Sequence, residues 1–290
     1  MNTGRVIPRG VNSGVPNVAR IYDYFLGGKD NFASDRTAAA KIAEAAPDVV
    51  RRVQENREFL GRTVRFLAAA GIRQFIDVGT GLPTQENVHQ VARRLAPASR
   101  VAYVDNDPVV VLHAQALLAT DSCTIAIEAD MRDPAAILRR VTEQEFIDLT
   151  QPVAILMFAV LHFIPDSAQA ARIVDTFREQ MAAGSYLAIT HATAGNMSAG
   201  NLAQAVQTYS TSSAGSITVR SHEQIAALFD GLELEEPGVV PVSQWRPASN
   251  GSQQAEATIV KFPGPLPGMA SPAAPEGPVF LGGLARKPRR

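Results

Sequence analysis

The chain has 290 residues, 46% of them hydrophobic and 19% charged, enough apolar material for one large folded unit and too much for a chain disordered throughout. Lys+Arg 27 against Asp+Glu 28 leaves a net charge of -1, without the basic surplus on which non-specific nucleic-acid binding depends. The longest apolar run, 153–161, falls short of the roughly 20 residues a bilayer requires, and MNTGRVIPRG lacks a signal-peptide core. The lone Cys123 excludes an internal disulfide and a multi-cysteine zinc site, so a cytoplasmic protein without membrane or nucleic-acid partners is the expectation. Oligomeric state has no readable signal.

Residues 1–15 are rich in Gly, Asn, Ser and Pro and read as a flexible tail. A helical preface is expected over 16–70. Val18, Ile21, Tyr22 and Phe25 have helical spacing until Gly27-Gly28, Ser34 can cap a second helix, and Asp48 to Ala70 predicts a third, with Val53, Leu60, Val64 and Leu67 on one face. From Gly71 the pattern alternates, and 71–290 reads as one α/β domain. Strands are predicted at Gln74 to Val78, Val101 to Val104, Thr124 to Glu128, Pro152 to Phe158 and Tyr186 to Thr190, each of the first four followed by a helical stretch. Asp107-Pro108 and Asp133-Pro134 pair an N-cap with a proline at the first helical position, so these aspartates read as caps rather than ligands.

Ser221-His222-Glu223-Gln224 is a capping box, Gly231 closes its helix, and Leu232 to Leu234 with Val239 to Val242 supply late strand material. A Pro-rich loop is expected over 247–278, densest from Pro263 to Pro278. Val279 to Ala285 reads as a last strand, antiparallel at or near the sheet's edge. Alternating strands and amphipathic helices predict a doubly wound, mostly parallel, Rossmann-like sheet.

In such sheets ligands bind beyond the carboxyl ends of the strands. The first turn there is Asp77-Val78-Gly79-Thr80-Gly81-Leu82-Pro83-Thr84, whose two glycines permit a tight turn and close approach to a ligand. Thr84 stands where a dinucleotide fingerprint wants its third glycine, which weakens a nicotinamide reading. Asp105 ends the second strand, 24 residues after Gly81, where a carboxylate can accept bonds from both hydroxyls of a ribose. Asp130 follows the third strand and can take an adenine amino group. The fourth turn, from Phe158 to Asp166, offers an apolar floor and His162, and His191 ends the next strand. Both histidines are candidate general bases, against the plainer reading of each as a buried, hydrogen-bonded residue.

Asp77-Val78-Gly79-Thr80-Gly81, Val104-Asp105-Asn106-Asp107-Pro108 and Glu128-Ala129-Asp130 resemble successive motifs of class I S-adenosylmethionine-dependent methyltransferases. The stretch from Val15-Pro16-Asn17-Val18-Ala19-Arg20-Ile21-Tyr22-Asp23-Tyr24 to Lys29-Asp30-Asn31-Phe32 resembles the opening of the actinobacterial S-adenosyl methyltransferase family, long catalogued as a domain of unknown function. The resemblance implies a class I methyltransferase-like sheet with an N-terminal helical cap, S-adenosylmethionine as cofactor and S-adenosylhomocysteine as its product. Asp77, Gly79 and Gly81 would surround the methionine part and Asp105 the ribose. Asn106 would lie beside the adenine, Asp130 on its amino group and Met131 in backbone contact; apart from the resemblance, Phe158 on the apolar floor and Tyr22 in the helical cap are read as further cofactor contacts. Pro83 departs from the third glycine many class I enzymes carry there.

A ligand with a sulfonium and an ammonium but no phosphate suits carboxylates near the glycine turn, and methyl transfer gains much from positioning alone. Methyl transfer to a small-molecule acceptor is the leading reading. A non-catalytic protein binding S-adenosylmethionine or S-adenosylhomocysteine, an NAD-dependent oxidoreductase and a macromolecule methyltransferase are the others. Tyr22 to Arg36 mixes aromatics with Asp23, Lys29, Asp30, Asn31 and Arg36, and reads equally as a lid or as helices docked for packing. No metal site is predicted, since the five histidines have no ligating spacing. The basic end, Arg286-Lys287-Pro288-Arg289-Arg290, reads as solvated.

Overall fold

The computed structural model describes residues 12–83, 86–118, 122–247 and 279–289. Three helices come first: α1 (Val18–Phe25), α2 (Ala33–Ala45) and α3 (Val49–Ala69). Five βα steps follow, through β1 (Gln74–Val78), α4 (Val88–Leu95), β2 (Arg100–Asp105), α5 (Pro108–Leu118), β3 (Thr124–Glu128), α6 (Pro134–Thr142), β4 (Ala154–Phe158), α7 (Ser167–Gln180), β5 (Tyr186–Thr193) and α8 (Ala199–Ser210). The chain then runs through α9 (His222–Ala226), β6 (Glu233–Leu234), β7 (Val240–Pro241) and β8 (Val279–Arg286).

The eight strands form one sheet in the order β3-β2-β1-β4-β5-β8-β6, with β7 also on β8. The steps β1–β2, β2–β3, β1–β4 and β4–β5 are parallel, and β8 is antiparallel to β5 over eight residue pairs, as its place late in the sequence predicted. The order reverses between β1 and β4, so the ends of β1, β2 and β4 open onto one crevice, where a doubly wound sheet takes its ligand. β1 is buried along its whole length because both faces are covered. Val53, Phe59, Leu60, Val64 and Leu67 of α3 belong to the core on one face, and Ile137, Ile173, Val174 and Phe177 of α6 and α7 to the core on the other.

Three expectations need correction. Ser34 does not cap α2: its hydroxyl donates to Ser13 O at 2.7 Å, and Phe32 is the cap position. The fully buried Asp35 wins that role because its carboxylate accepts the Phe32 N–H at 2.7 Å, the Arg20 guanidinium at 2.8 Å and the Asn17 N–H at 2.9 Å, tying α1 to α2. Of the tail expected over 1–15, residues 1–11 lie outside the described residues, whereas 12–15 are held, with Arg20 donating to Val15 O at 2.8 Å. The stretch 192–220, which carried no predicted helix, contains α8, capped by Ser198 through its hydroxyl on the Asn201 N–H. The Pro-rich stretch 248–278 lies outside the described residues. No helix among the described residues is long and apolar enough to cross a membrane.

Candidate active site

The crevice is a cavity of about 580 Å³, within the usual range for small-molecule sites. Its lining includes Tyr22, Asp77, Gly79, Gly81, Asp105, Asn106, Asp130, Met131, Phe158 and His162. Of the predicted site residues His191 alone is missing from that lining.

The turn after β1 is fixed by its backbone. Gly79 and Gly81 have φ of 72° and 65°, a region costly for side-chain-bearing residues. The Gly79 and Thr80 N–H groups both donate to Val104 O, at 2.8 and 3.2 Å. A Cβ on Gly79 would lie 2.4 Å from Val160 Cγ2, so the turn after β4 presses directly on the turn after β1. Asp105 then locks the two motifs together: one carboxylate oxygen accepts the Gly81 N–H and the other the Asp107 N–H, both at 2.9 Å. Each oxygen keeps a second lone pair for a ligand. Asp107 caps α5 through the Val109 N–H at 2.8 Å, as its place before Pro108 predicted.

Asp77 and Asp105 are 5% and 9% exposed. Burial pushes each carboxyl up to about 6, against the Thr80 hydroxyl bond at Asp77 and the two backbone bonds at Asp105. Two acids raised in one cavity mark a site waiting for positive charge or hydrogen-bond donors. Asp130 sits at the half-exposed rim, where its carboxylate accepts from the Arg132 N–H at 2.8 Å and pairs with the Arg132 guanidinium at 3.1 Å. Phe158 packs 5.5 Å from Phe59. The Tyr22 hydroxyl accepts from Asn56 Nδ2 at 2.9 Å and donates to Val53 O at 3.3 Å, which brings α1 and α3 to the cavity together.

The polar residues beyond Tyr22 mostly brace the chain. Asp23, 3% exposed, accepts from the Asp30 N–H at 3.0 Å and from Asn31 Nδ2 at 2.9 Å, and a Cβ on Gly28 would lie 1.9 Å from its Oδ1. Spacing could not reveal that tight loop.

The two histidines separate. His191 is fully buried; its Nδ1–H donates to Ala192 O at 2.8 Å and its Nε2 accepts from the Arg220 guanidinium at 2.7 Å. Arginine cannot accept, so this fixes the neutral tautomer, and burial first, with Arg220, lowers the ring to about 4. No free nitrogen is left to act as a base. His162 borders the cavity; burial first, then His191 and Arg220, hold it well below the ordinary histidine range. Arg220, absent from the sequence expectations, also donates to Leu161 O at 3.2 Å and Ile164 O at 2.8 Å, so it shapes the turn that carries His162. No cluster of metal-ligating side chains occurs among the described residues.

A family model described as S-adenosyl methyltransferase matches residues 5–270. The chain is similar to a DUF574 family protein from Streptomyces avermitilis MA-4680, at 38% identity over 95% of this chain and 99% of that one, with a TM-score of 0.82. It is also similar to a methyltransferase candidate from Thermobifida fusca YX, at 35% identity over 99% and 100% of the two chains, with a TM-score of 0.84. The plantazolicin methyltransferase BpumL, solved with S-adenosylhomocysteine, shares the fold at 10% identity over 93% and 96% of the two chains, with a TM-score of 0.50. No curated protein matches.

Proposed function

The chain belongs to the S-adenosyl methyltransferase family, and we propose that it is an active enzyme that moves the methyl group of S-adenosylmethionine to a small-molecule acceptor. The observation that carries this reading is the pair of buried carboxyls, Asp77 and Asp105, both in the lining of one cavity and both pushed up to about 6. A cationic, phosphate-free cofactor supplies the positive charge these groups lack, whereas a pyrophosphate would face repulsion from both. The residues therefore fit S-adenosylmethionine and disfavour a nicotinamide dinucleotide.

In this reading Asp105 accepts from the ribose hydroxyls through its remaining lone pairs, and Asp77 serves the methionine part beside the backbone of Gly79 and Gly81. Asn106 and Met131 flank the adenine, Asp130 takes its amino group in competition with Arg132, and Phe158 and Tyr22 close the apolar sides. Bound there, the cofactor supplies a methyl group on a sulfonium, which an acceptor lone pair takes in an in-line displacement. The protein's own part is to fix both partners and exclude water. Residues 16–70 act as a cap over the 71–290 unit, since α1, α2 and α3 all contribute to the cavity.

Calorimetric titration with S-adenosylmethionine, S-adenosylhomocysteine and NAD tests this. Saturable binding of the first two and none of NAD is expected; a folded protein that binds neither, or prefers NAD, overturns the reading. Turnover is then read as label transferred from methyl-labelled S-adenosylmethionine in an acceptor screen. Binding without transfer to any acceptor class would favour the non-catalytic alternative.

A further inference from the structure

Away from the carboxylates, the same cavity runs under α1, α3 and α8, and its chemistry changes. Phe163 lies 4.4 Å from the His162 ring and 6.2 Å from that of Tyr209, and Phe280 of β8 lies 6.2 Å from His162. Burial first, and the neighbouring Tyr22 second, hold the Tyr209 hydroxyl above its usual range. Together with Tyr22 and Phe158 these rings make an aromatic wall, and Leu202 and Ala205 of α8 continue it in apolar atoms.

The charged side chains that reach the cavity are already engaged elsewhere. Arg20 is on Asp35 at 2.8 Å, Arg57 on Glu86 O and Asn87 at 3.2 Å each, and Asp130 on Arg132. Asp107 caps α5, while Asp77 and Asp105 belong to the opposite side. A cation pressed against the aromatic wall would lose hydration without gaining a counter-ion, and an anion would meet only guanidinium groups already bonded to neutral acceptors, Arg57 in the lining and Arg220 behind His162.

Two polar side chains at this end of the cavity carry an unmatched buried atom, Asn56 Oδ1 beside Tyr22 and His162 Nδ1. His162 is 6% exposed, and its buried Nδ1 has no hydrogen-bond partner among the described residues. A neutral imidazole carries one donor and one acceptor, and a native interior seldom leaves such groups orphaned. Nδ1 is fully enclosed, which leaves Nε2 as the nitrogen a ligand in the cavity can reach.

We propose that the methyl acceptor is a small, uncharged, ring-bearing molecule seated against this aromatic wall, with a hydroxyl or N–H group hydrogen-bonded to the imidazole of His162. The cofactor's share of the cavity limits the acceptor to a few fused or substituted rings. The inference rests on the methyltransferase reading and adds the acceptor class to it. His162 is here a residue that binds and orients the acceptor.

The test uses full-length protein saturated with S-adenosylhomocysteine and three probes of one shape: 2-naphthol, naphthalene and 2-naphthoate. In the unmodified protein 2-naphthol should bind about tenfold more tightly than naphthalene, as expected for one hydrogen bond to a buried group, and at least as much more tightly than 2-naphthoate. In His162→Phe the preference for 2-naphthol over naphthalene should shrink to about twofold or less. A ring-nitrogen resonance of one histidine in the unmodified protein should also move with 2-naphthol and stay still with naphthalene, a readout that needs no variant. Equal or tighter binding of 2-naphthoate, an unchanged preference in a folded His162→Phe, or no histidine response would overturn the proposal. If S-adenosylhomocysteine binds and none of the probes does, the acceptor class alone fails. If S-adenosylhomocysteine itself does not bind, the underlying methyltransferase reading fails instead.

Discussion

Two sides of one cavity are built by opposite means. The carboxylate side comes from consecutive strand ends, so that Asp77, Gly79, Gly81 and Asp105 fall within one βαβ unit, where Gly81 bonds to Asp105 and Gly79 to Val104 across about 25 residues of chain. The aromatic side is assembled from α1, α3, the turn after β4, α8 and β8, and the residues that hold it meet across 53 to 59 residues of chain, as Arg220 does with Ser167, Ile164 and Leu161. A strand end dictates where its next side chain goes, and parallel pairing then places neighbouring ends together. A helix from elsewhere is positioned only by packing. Damage on the first side should therefore register as lost cofactor, and damage on the second as lost stability or lost acceptor.

The largest effect expected is on the remote side. Arg220→Met removes the cation that satisfies Leu161 O, Ile164 O and His191 Nε2 and should destabilise the protein by roughly 3 kcal/mol, because buried acceptors are left unpaired. Thermal and denaturant unfolding would measure this; a loss below about 1 kcal/mol would mean that water replaces the guanidinium. On the local side, Asp105→Ala leaves the Gly81 and Asp107 N–H groups unpaired but also removes a carboxyl that burial disfavours, so it should cost less stability than Arg220→Met while weakening S-adenosylhomocysteine binding by about 2 kcal/mol, roughly 30-fold, as for charge-assisted bonds. Unchanged affinity in a folded variant would remove Asp105 from the ribose.

Proton linkage sharpens the contrast further. Asp77 and Asp105 are raised to about 6 in the ligand-free protein, and the cation of S-adenosylmethionine favours their ionised forms. Affinity should thus be full above about pH 7 and fall as pH drops through 6, by roughly tenfold per participating group at pH 5. Stability of the ligand-free protein should move the other way. A folded carboxyl that holds its proton more tightly than the unfolded one binds more protons between about pH 4 and 6, so these two groups make the protein less stable as pH rises through that window. Calorimetry in paired buffers and unfolding at pH 5 and 7 would read both; affinity for S-adenosylmethionine that is flat with pH would show that neither carboxylate meets the cation. The smallest effect concerns the strap at Asn12 to Val15. Its removal costs two bonds to Arg20 and one to Ser34 and should speed S-adenosylhomocysteine dissociation a few-fold, whereas deletion through Arg36 should speed it far more. Equal dissociation rates for the two truncations would remove the cap from the cofactor's path.

The same asymmetry governs what could be read from the residues alone. Strands β1 to β5, the glycine turn, the Asp107 cap and the antiparallel last strand were legible because each leaves a local mark: period, cap or breaker. Ser34 misled because it has a cap residue's chemistry, while Asp35, three positions after Phe32, held the better claim through bonds that also reach Arg20 and Asn17. Helix α8 leaves a fainter mark, a Ser198 cap with Leu202, Ala205 and Tyr209 at helical spacing. Arg220 left no mark at all, since its partners are carbonyls and a histidine that only the tertiary fold brings near. His162 and His191 looked alike in sequence, and the guanidinium on one of them is what makes them different.

Strand β8 bears on how the protein is made. Its pairing with β5 joins Thr193 to Val279 across 86 residues, and a ribosome spends on the order of ten seconds on a stretch of that length. Throughout that interval β5, buried at every position but its last in the finished fold, presents an apolar edge with its backbone groups unpaired, the kind of template on which nascent chains stick to one another. Both carboxylates and the parallel strands exist by then, so a chain cut before Val279 would fail first as aggregate, with Asp77 and Asp105 already in place.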